Sequence, residues 1–323
     1  IDPILHAFRH TQHLAIGVRD LLGKVGIDET HRALSDVAES VLEQAFDAER
    51  RRLESRHGIP TTGADDRPCE CVVLALGKLA GREPNYHSDL DLVFLYEGEG
   101  TTRADPPSRQ LSNQQFFAQL AASVVKRLSQ VGPYGRLYEV DTRLRPTGRS
   151  GSIAVSFDEF RRYFDSGAGA LWERLALVKS RPVIGSEPAR REVERLVAAC
   201  RTAEPWRPAD ATEILAMRLK LQESAATSNL KRGRGGTMDV EFAAQMLQLR
   251  HAKRYPEAVV PGTFAAWRAL ADAGLVERPE AEAWSEGYRM LRDVESRLRL
   301  MNTAARHELP SDPRESARLA YVL

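Results

Sequence analysis

From Ile4 to about Leu53 the apolar side chains return every three or four positions: Leu14, Ile16, Val18, Leu21 and Leu22, then Leu34, Val37, Val41, Leu42 and Ala45. That spacing follows the helical turn and predicts a helical lead-in. The pattern stops at Gly58-Ile59-Pro60, and the stretch to Pro68, with Thr61, Thr62, Gly63 and two aspartates, has the composition of a loop. An unbroken apolar run, Cys71-Val72-Val73-Leu74-Ala75-Leu76, then predicts a buried strand. A second strand is predicted over 89–96, a mobile polar loop rich in Gly, Pro and Arg over 98–112, a helix over 114–130 and a third strand over 137–144. Beyond Pro182 the spacing is almost wholly helical, over 214–223, 239–251, 263–273 and 279–301. The order predicts an α+β chain in three parts: a helical lead-in (1–60), a domain with a small mixed sheet flanked by helices (61–185), and an all-α helical bundle (186–323). No internal repeat stands out.

Composition narrows the function classes. The 323 residues are 42% hydrophobic, enough for a core or two, with no apolar stretch long enough to span a bilayer. Forty-six basic against 45 acidic side chains give a formal charge of +1, so neither nucleic acid nor a membrane is an expected partner and any anion site must be local. Cys69 and Cys71 are not placed to bridge easily and Cys200 is distant, which suits a reducing cytoplasm. His6, His10 and His13 share a helix face, expected to be exposed rather than metal-binding. The chain starts at Ile1 and stops in an uncapped apolar pattern, so it is expected to be a fragment of something larger.

The chemistry concentrates in Ser88-Asp89-Leu90-Asp91-Leu92-Val93-Phe94-Leu95-Tyr96. In a strand Asp89 and Asp91 point one way, and Leu90, Leu92 and Phe94 the other. A solvated strand end also explains a bare Asp-x-Asp. Two crowded carboxylates repel, however, and a hard cation between them would relieve that cost. Asp141, in the next strand, could close the same site, and three acids can hold two metal ions roughly 3.5–4 Å apart, as in phosphoryl-type transfer. Gly77-Lys78-Leu79-Ala80-Gly81 follows the first strand, where glycine lets backbone N–H groups approach a phosphate and Lys78 adds charge. Arg143 and Arg145 can present guanidinium forks to phosphate oxygens, although surface ion pairing would also explain them.

Gly77-Lys78-Leu79 through Asp91-Leu92, Tyr138-Glu139-Val140-Asp141 with Arg143-Leu144-Arg145-Pro146, and Gly148-Arg149-Ser150-Gly151 resemble the glutamine synthetase adenylyltransferase/adenylyl-removing family. The resemblance continues in Leu171-Trp172-Glu173-Arg174, Val178-Lys179-Ser180-Arg181 and Leu230 through Phe242, and so covers most of the chain. It implies a polymerase β-like nucleotidyltransferase fold followed by a helical bundle. The family carries a removing half and a transferring half in one chain. Asp89 to Tyr96, the Tyr138 segment and Asp239 resemble the transferring half, whereas the Trp172 and Val178 segments and His307-Glu308-Leu309-Pro310 resemble the removing half. Ala80 and Pro84 depart from the family pattern, and the balance favours the transferring half.

The implied reaction moves AMP from ATP to a tyrosine of glutamine synthetase and releases pyrophosphate. Asp89, Asp91 and Asp141 would be the catalytic and metal-binding residues, holding magnesium or manganese. Gly77, Lys78, Ser88, Arg143 and Arg145 would bind the nucleotide. A tyrosine hydroxyl, with a reference pKa of about 10, needs a metal or a base, and Asp141 would be a ligand or that base. Lys231, Arg232 and Arg234 with their neighbouring glycines read by composition as an interhelical turn; the resemblance adds Lys231, Asp239 and Glu241 to the cleft, with Glu173 and Lys179, and leaves Trp172 in the core. Phosphorolytic removal of AMP with release of ADP is the alternative, and a silent nucleotide-binding regulatory module a further one. Glutamine and the PII signal protein would be effectors of the longer enzyme.

Overall fold

The computed structural model describes residues 2–63, 66–301 and 307–323. The lead-in is two helices, α1 (Asp2–Leu21) and α2 (Ile27–His57), parted at Gly23, where the backbone turns left-handed. Next come β1 (Ile59–Thr62), β2 (Arg67–Pro68), β3 (Cys71–Leu76), α3 (Gly77–Ala80), β4 (Leu90–Tyr96) and β5 (Thr102–Arg103). The chain continues through α4 (Asn113–Ser129), β6 (Val140–Asp141), β7 (Ala154–Ser156), α5 (Phe157–Asp165), α6 (Leu171–Val178), β8 (Ser180–Ile184) and α7 (Glu187–Arg201). Helices α8 (Pro208–Glu223), α9 (Thr237–His251), α10 (Thr263–Asp272), α11 (Arg278–Leu300) and α12 (Pro313–Val322) complete it. The expected α+β class, with a small mixed sheet followed by helices, is what the structure shows.

The main sheet runs β6-β4-β3-β8. Strands β3, β4 and β8 are antiparallel neighbours, while β6 and then β7 lie parallel along the free edge of β4. Alternation divides the strands between two cores. Val73, Ala75, Leu90, Leu92, Phe94 and Tyr96 meet Val41, Leu42 and Phe46 of α2 and Phe116, Phe117 and Leu120 of α4. On the other face Val72, Leu74, Val93 and Leu95 meet Phe160 of α5 and Val193, Leu196 and Val197 of α7. Helix α7 therefore packs on the sheet although it follows residue 185. The later helices build their own core around Trp267, Leu270 and Tyr288. Helix α6 joins the two parts, because Leu171, Leu175 and Val178 pack with Ile214 of α8 and Leu249 of α9.

Several expectations are corrected. The stretches 58–68 and 98–112 are not plain loops, because β1 lies between β2 and β5 in a second small antiparallel sheet. The Asn113 side-chain amide, donating to the Thr61 and Gly98 carbonyls at 2.9 and 2.8 Å, ties that sheet to α4. The strand expected over 137–144 pairs only at Val140 and Asp141. Immediately afterwards the Asp141 carboxylate accepts the backbone N–H of Arg143 at 2.8 Å, a local turn that competes with further pairing. The chain loops out before β7 rejoins the same edge. Trp172 is not core: α6 turns Leu171 and Leu175 inward and leaves the indole 43% exposed. On α1 only His10 of the three histidines is exposed; His6 is buried and His13 half-buried. The three cysteines are free and buried. Among the described residues no helix is long and apolar enough to cross a membrane.

Candidate active site

The acidic residues meet where β3 ends. Asp91 is in register with Leu76 on one side and with Asp141 on the other, so two of the three acids are neighbours across adjacent strands. Asp89 lies two residues upstream. Leu90 and Leu92 enter the α2–α4 core, while Val93 and Leu95, in phase with Asp91, enter the opposite one. The alternation expected for this segment is therefore the one observed. Burial first, then the charges of Asp89 and Asp141, push the Asp91 carboxyl up to about 7, with Lys231 and Lys78 opposing the rise.

Gly77 fits this corner for two reasons. Its φ is +57°, in the left-handed region, and a Cβ on it would stand 2.7 Å from Asp91 Oδ2. Its N–H donates to the Lys179 carbonyl at 2.9 Å, which fixes the end of β3 against β8.

Asp141 is tied to its neighbour. Arg143 Nε donates to both carboxylate oxygens, at 2.9 and 2.8 Å, and Arg143 Nη2 adds an ion pair. Among the described residues no three His, Cys, Asp or Glu side chains are gathered as ready ligands of one metal ion. The donor chemistry still fits a hard cation: the carboxylates are crowded enough to raise Asp91, and a divalent ion would remove that repulsion.

Other residues expected at the site have structural partners. Lys78 is half-buried, with its ammonium 3.5 Å from Glu295 of α11; desolvation, against the attraction of Glu295, brings its pKa down to about 7. Ser88 Oγ accepts the Asn85 N–H at 2.9 Å. Arg145 is buried and donates to the carbonyls of Ser152, Thr142 and Gly151 at 2.8, 2.5 and 3.2 Å, so it braces the loop after β6. Glu173 accepts the Ala170 N–H at 2.8 Å and the Tyr163 hydroxyl, closing the first turn of α6. Lys179 Nζ lies 2.7 Å from Glu83 and 4.0 Å from Glu241, and Tyr288 donates to Glu241 at 2.8 Å. Asp239 pairs with Arg218 at 2.6 Å and accepts the Gly235 N–H at 2.6 Å, holding the glycine-rich loop before α9. Lys231, in that loop, is close enough to Asp91 to lower its pKa. The helical part therefore reaches the carboxylates.

Sequence reasoning missed Glu83, Arg292 and Glu295, the buried charges that join the parts. Glu83 contacts Lys179, 96 positions away, and Thr263, 180 away. No local spacing signals partners that distant.

Residues 3–196 match the family model described as Glutamate-ammonia ligase adenylyltransferase, and residues 212–323 match one described as GlnD PII-uridylyltransferase. Relatives named bifunctional glutamine synthetase adenylyltransferase/adenylyl-removing enzyme include proteins of Thioalkalivibrio sulfidiphilus, Ralstonia nicotianae and Xanthomonas campestris pv. campestris. They are 36%, 33% and 33% identical over 99% of this chain, which covers 33%, 36% and 34% of theirs. The chain thus spans about a third of the length of the curated relatives it matches.

Proposed function

The chain belongs to the Glutamate-ammonia ligase adenylyltransferase family, and from that premise we propose that it is a metal-dependent nucleotidyltransferase unit moving AMP from ATP to a tyrosine of glutamine synthetase. The observation that carries the reading is the half-buried Asp91, crowded by Asp89 and Asp141 and faced by Lys78 and Lys231. In this reading the sheet unit extends through α7 and the helical unit supplies one wall of the cleft. The reaction takes place in the cytoplasm, and the PII signal protein acts on the longer protein.

Asp89 and Asp91 would hold a magnesium or manganese ion, joined by Asp141 once Arg143 releases it. Such an ion would supply positive charge against the triphosphate and would lower the pKa of the attacking hydroxyl. Lys78 and Lys231 bind phosphate oxygens as point charges. Asp141 accepts the proton of the tyrosine hydroxyl, the phenolate oxygen attacks the α-phosphorus, and pyrophosphate departs. Arg143, exposed at the rim, then meets charge on the transferred phosphate. Arg145 holds the loop that carries Asp141 and Arg143.

The test supplies unmodified glutamine synthetase, ATP labelled in the α-phosphate and magnesium. Label should enter a tyrosine, and Asp89→Asn should lower the rate by roughly a hundredfold or more, the scale of losing one transition-state contact. Unchanged labelling by the variant would remove the carboxylates from the mechanism. Release of ADP from adenylylated glutamine synthetase and phosphate, without forward labelling, would reverse the direction and assign the chain to removal.

A further inference from the structure

Helix α11 buries a carboxylate that the proposed chemistry does not use. Glu295 is 1% exposed. Its Oε1 lies 3.5 Å from Lys78 Nζ, 3.6 Å from Arg299 Nη2 and 2.9 Å from His307 Nδ1, and its Oε2 accepts from Arg292 Nη1 at 2.8 Å. Two of these partners also hold the segment 81–88, which leads from α3 to Asp89. Arg292 Nη2 donates to the Glu83 carbonyl and Arg299 Nη1 to the Tyr86 carbonyl, each at 2.6 Å. His307 connects to the second arm of the site. The Leu230 N–H donates to the His307 carbonyl at 2.6 Å, and the Leu309 N–H to the Ser228 carbonyl at 3.1 Å, immediately before Lys231. One buried carboxylate therefore anchors Lys78 directly and the Lys231 loop through His307.

We propose that Glu295 is a positioning residue for nucleotidyl transfer, fixing the Lys78 ammonium where a nucleoside triphosphate requires it. The proposal rests on the reading of Lys78 as a phosphate ligand. Its physical basis is charge as well as geometry. Glu295 shares its one negative charge among Lys78, Arg292 and Arg299. A side chain that holds a charged ligand in place acts on the rate through that ligand alone, and a purely structural carboxylate does not.

The experiment compares Glu295→Gln, Glu295→Asp, Lys78→Met and the Lys78→Met/Glu295→Gln pair in the complete chain. Its first readout is kcat and KM for ATP in AMP transfer. Its second is the rate at which an acylating reagent modifies Lys78, followed by mass spectrometry. Glu295→Gln should lower kcat by about ten- to a hundredfold with a smaller change in KM, and should add no more than about threefold to the loss in Lys78→Met. Glu295→Asp should fall between Glu295→Gln and the parent, and in both Glu295 variants Lys78 should acylate measurably faster than in the parent. Losses that multiply in the double variant, or parental kcat in folded Glu295→Gln, would overturn the proposal. Should Glu295→Gln fail to fold, an unchanged Lys78 acylation rate in Glu295→Asp would overturn it instead. Acylation needs no turnover, so a parent chain that transfers no AMP counts against the proposed reaction while the Glu295 contact is still tested.

Discussion

At the scale of single residues, Gly77 shows how backbone and charge fix one position together. Alanine there meets two costs: a left-handed φ of +57°, and a Cβ 2.7 Å from the Asp91 carboxylate. The first alone is worth about 1–2 kcal/mol. The second can be relieved only by moving Asp91, which lies at the centre of the proposed chemistry. Gly274 provides the control, since it shares a positive φ of +68° with nothing within 4 Å of its Cβ position. Urea unfolding should show Gly77→Ala destabilised at least as much as Gly274→Ala, while initial rates of AMP transfer should fall only in Gly77→Ala. Equal activity in the two variants would show that the Gly77–Asp91 contact has no functional weight.

At the scale of elements, the lead-in helices are part of the core, and two of their histidines are held neutral. Burial, and then Arg9, bring His13 of α1 down to about 3; burial, and then Arg292, bring His31 of α2 well below its ordinary 6.5. A depressed histidine binds fewer protons when folded than when unfolded, so stability falls as pH drops below about 6.5 and, for His13, continues to fall toward 3. Each such group contributes at most roughly 1.4 kcal/mol per pH unit. Thermal melts from pH 7 to pH 5 should show a falling midpoint, and His13→Gln should flatten the fall. A variant as acid-sensitive as its parent would dismiss His13 as the cause. These helices also show what the sequence could and could not disclose. Their apolar period, the run Cys71–Leu76 and the alternation after Asp89 are local patterns, and each corresponds to an observed element. Strands β1, β2 and β5 carry Pro and Thr on short, partly exposed edges, so composition reads them as loop. The end of β6 depends on an Asp141–Arg143 contact that a period-two reading does not register. The carboxylates were legible because Asp91 on β4 and Asp89 directly before it are two residues apart, whereas the partners of Lys78 and Lys179 lie far along the chain.

At the scale of the whole molecule, the sheet part and the helical part are joined through buried charge as well as through the apolar contacts of α6. Lys179, between α6 and β8, is 4% exposed, 2.7 Å from Glu83 and 2.9 Å from the hydroxyl of Thr263, the first residue of α10. Glu83 in turn accepts the Thr263 N–H at 2.5 Å, so a carboxylate from the sheet part caps a helix of the other part. Removing the ammonium with Lys179→Met keeps most of the side-chain volume and leaves the buried Glu83 and the half-buried Glu241 without their shared cation. Breaking a buried pair from one side costs about 3–5 kcal/mol, more than the loss of an exposed ion pair. The pH dependence identifies the mechanism. Burial pushes the Glu241 carboxyl up, and Lys179, ahead of Lys78 and Arg292, draws it below its ordinary 4.5. In the parent that depression contributes stability above the ordinary glutamate range, and this stability is lost as acid protonates the carboxyl. The variant has forfeited it already, so its deficit against the parent should be greatest at neutral pH and should shrink below about 4.5. Urea unfolding at pH 7 and pH 4 measures both numbers. A deficit that stayed constant with pH would mean that Lys179 joins the two parts by packing rather than by charge.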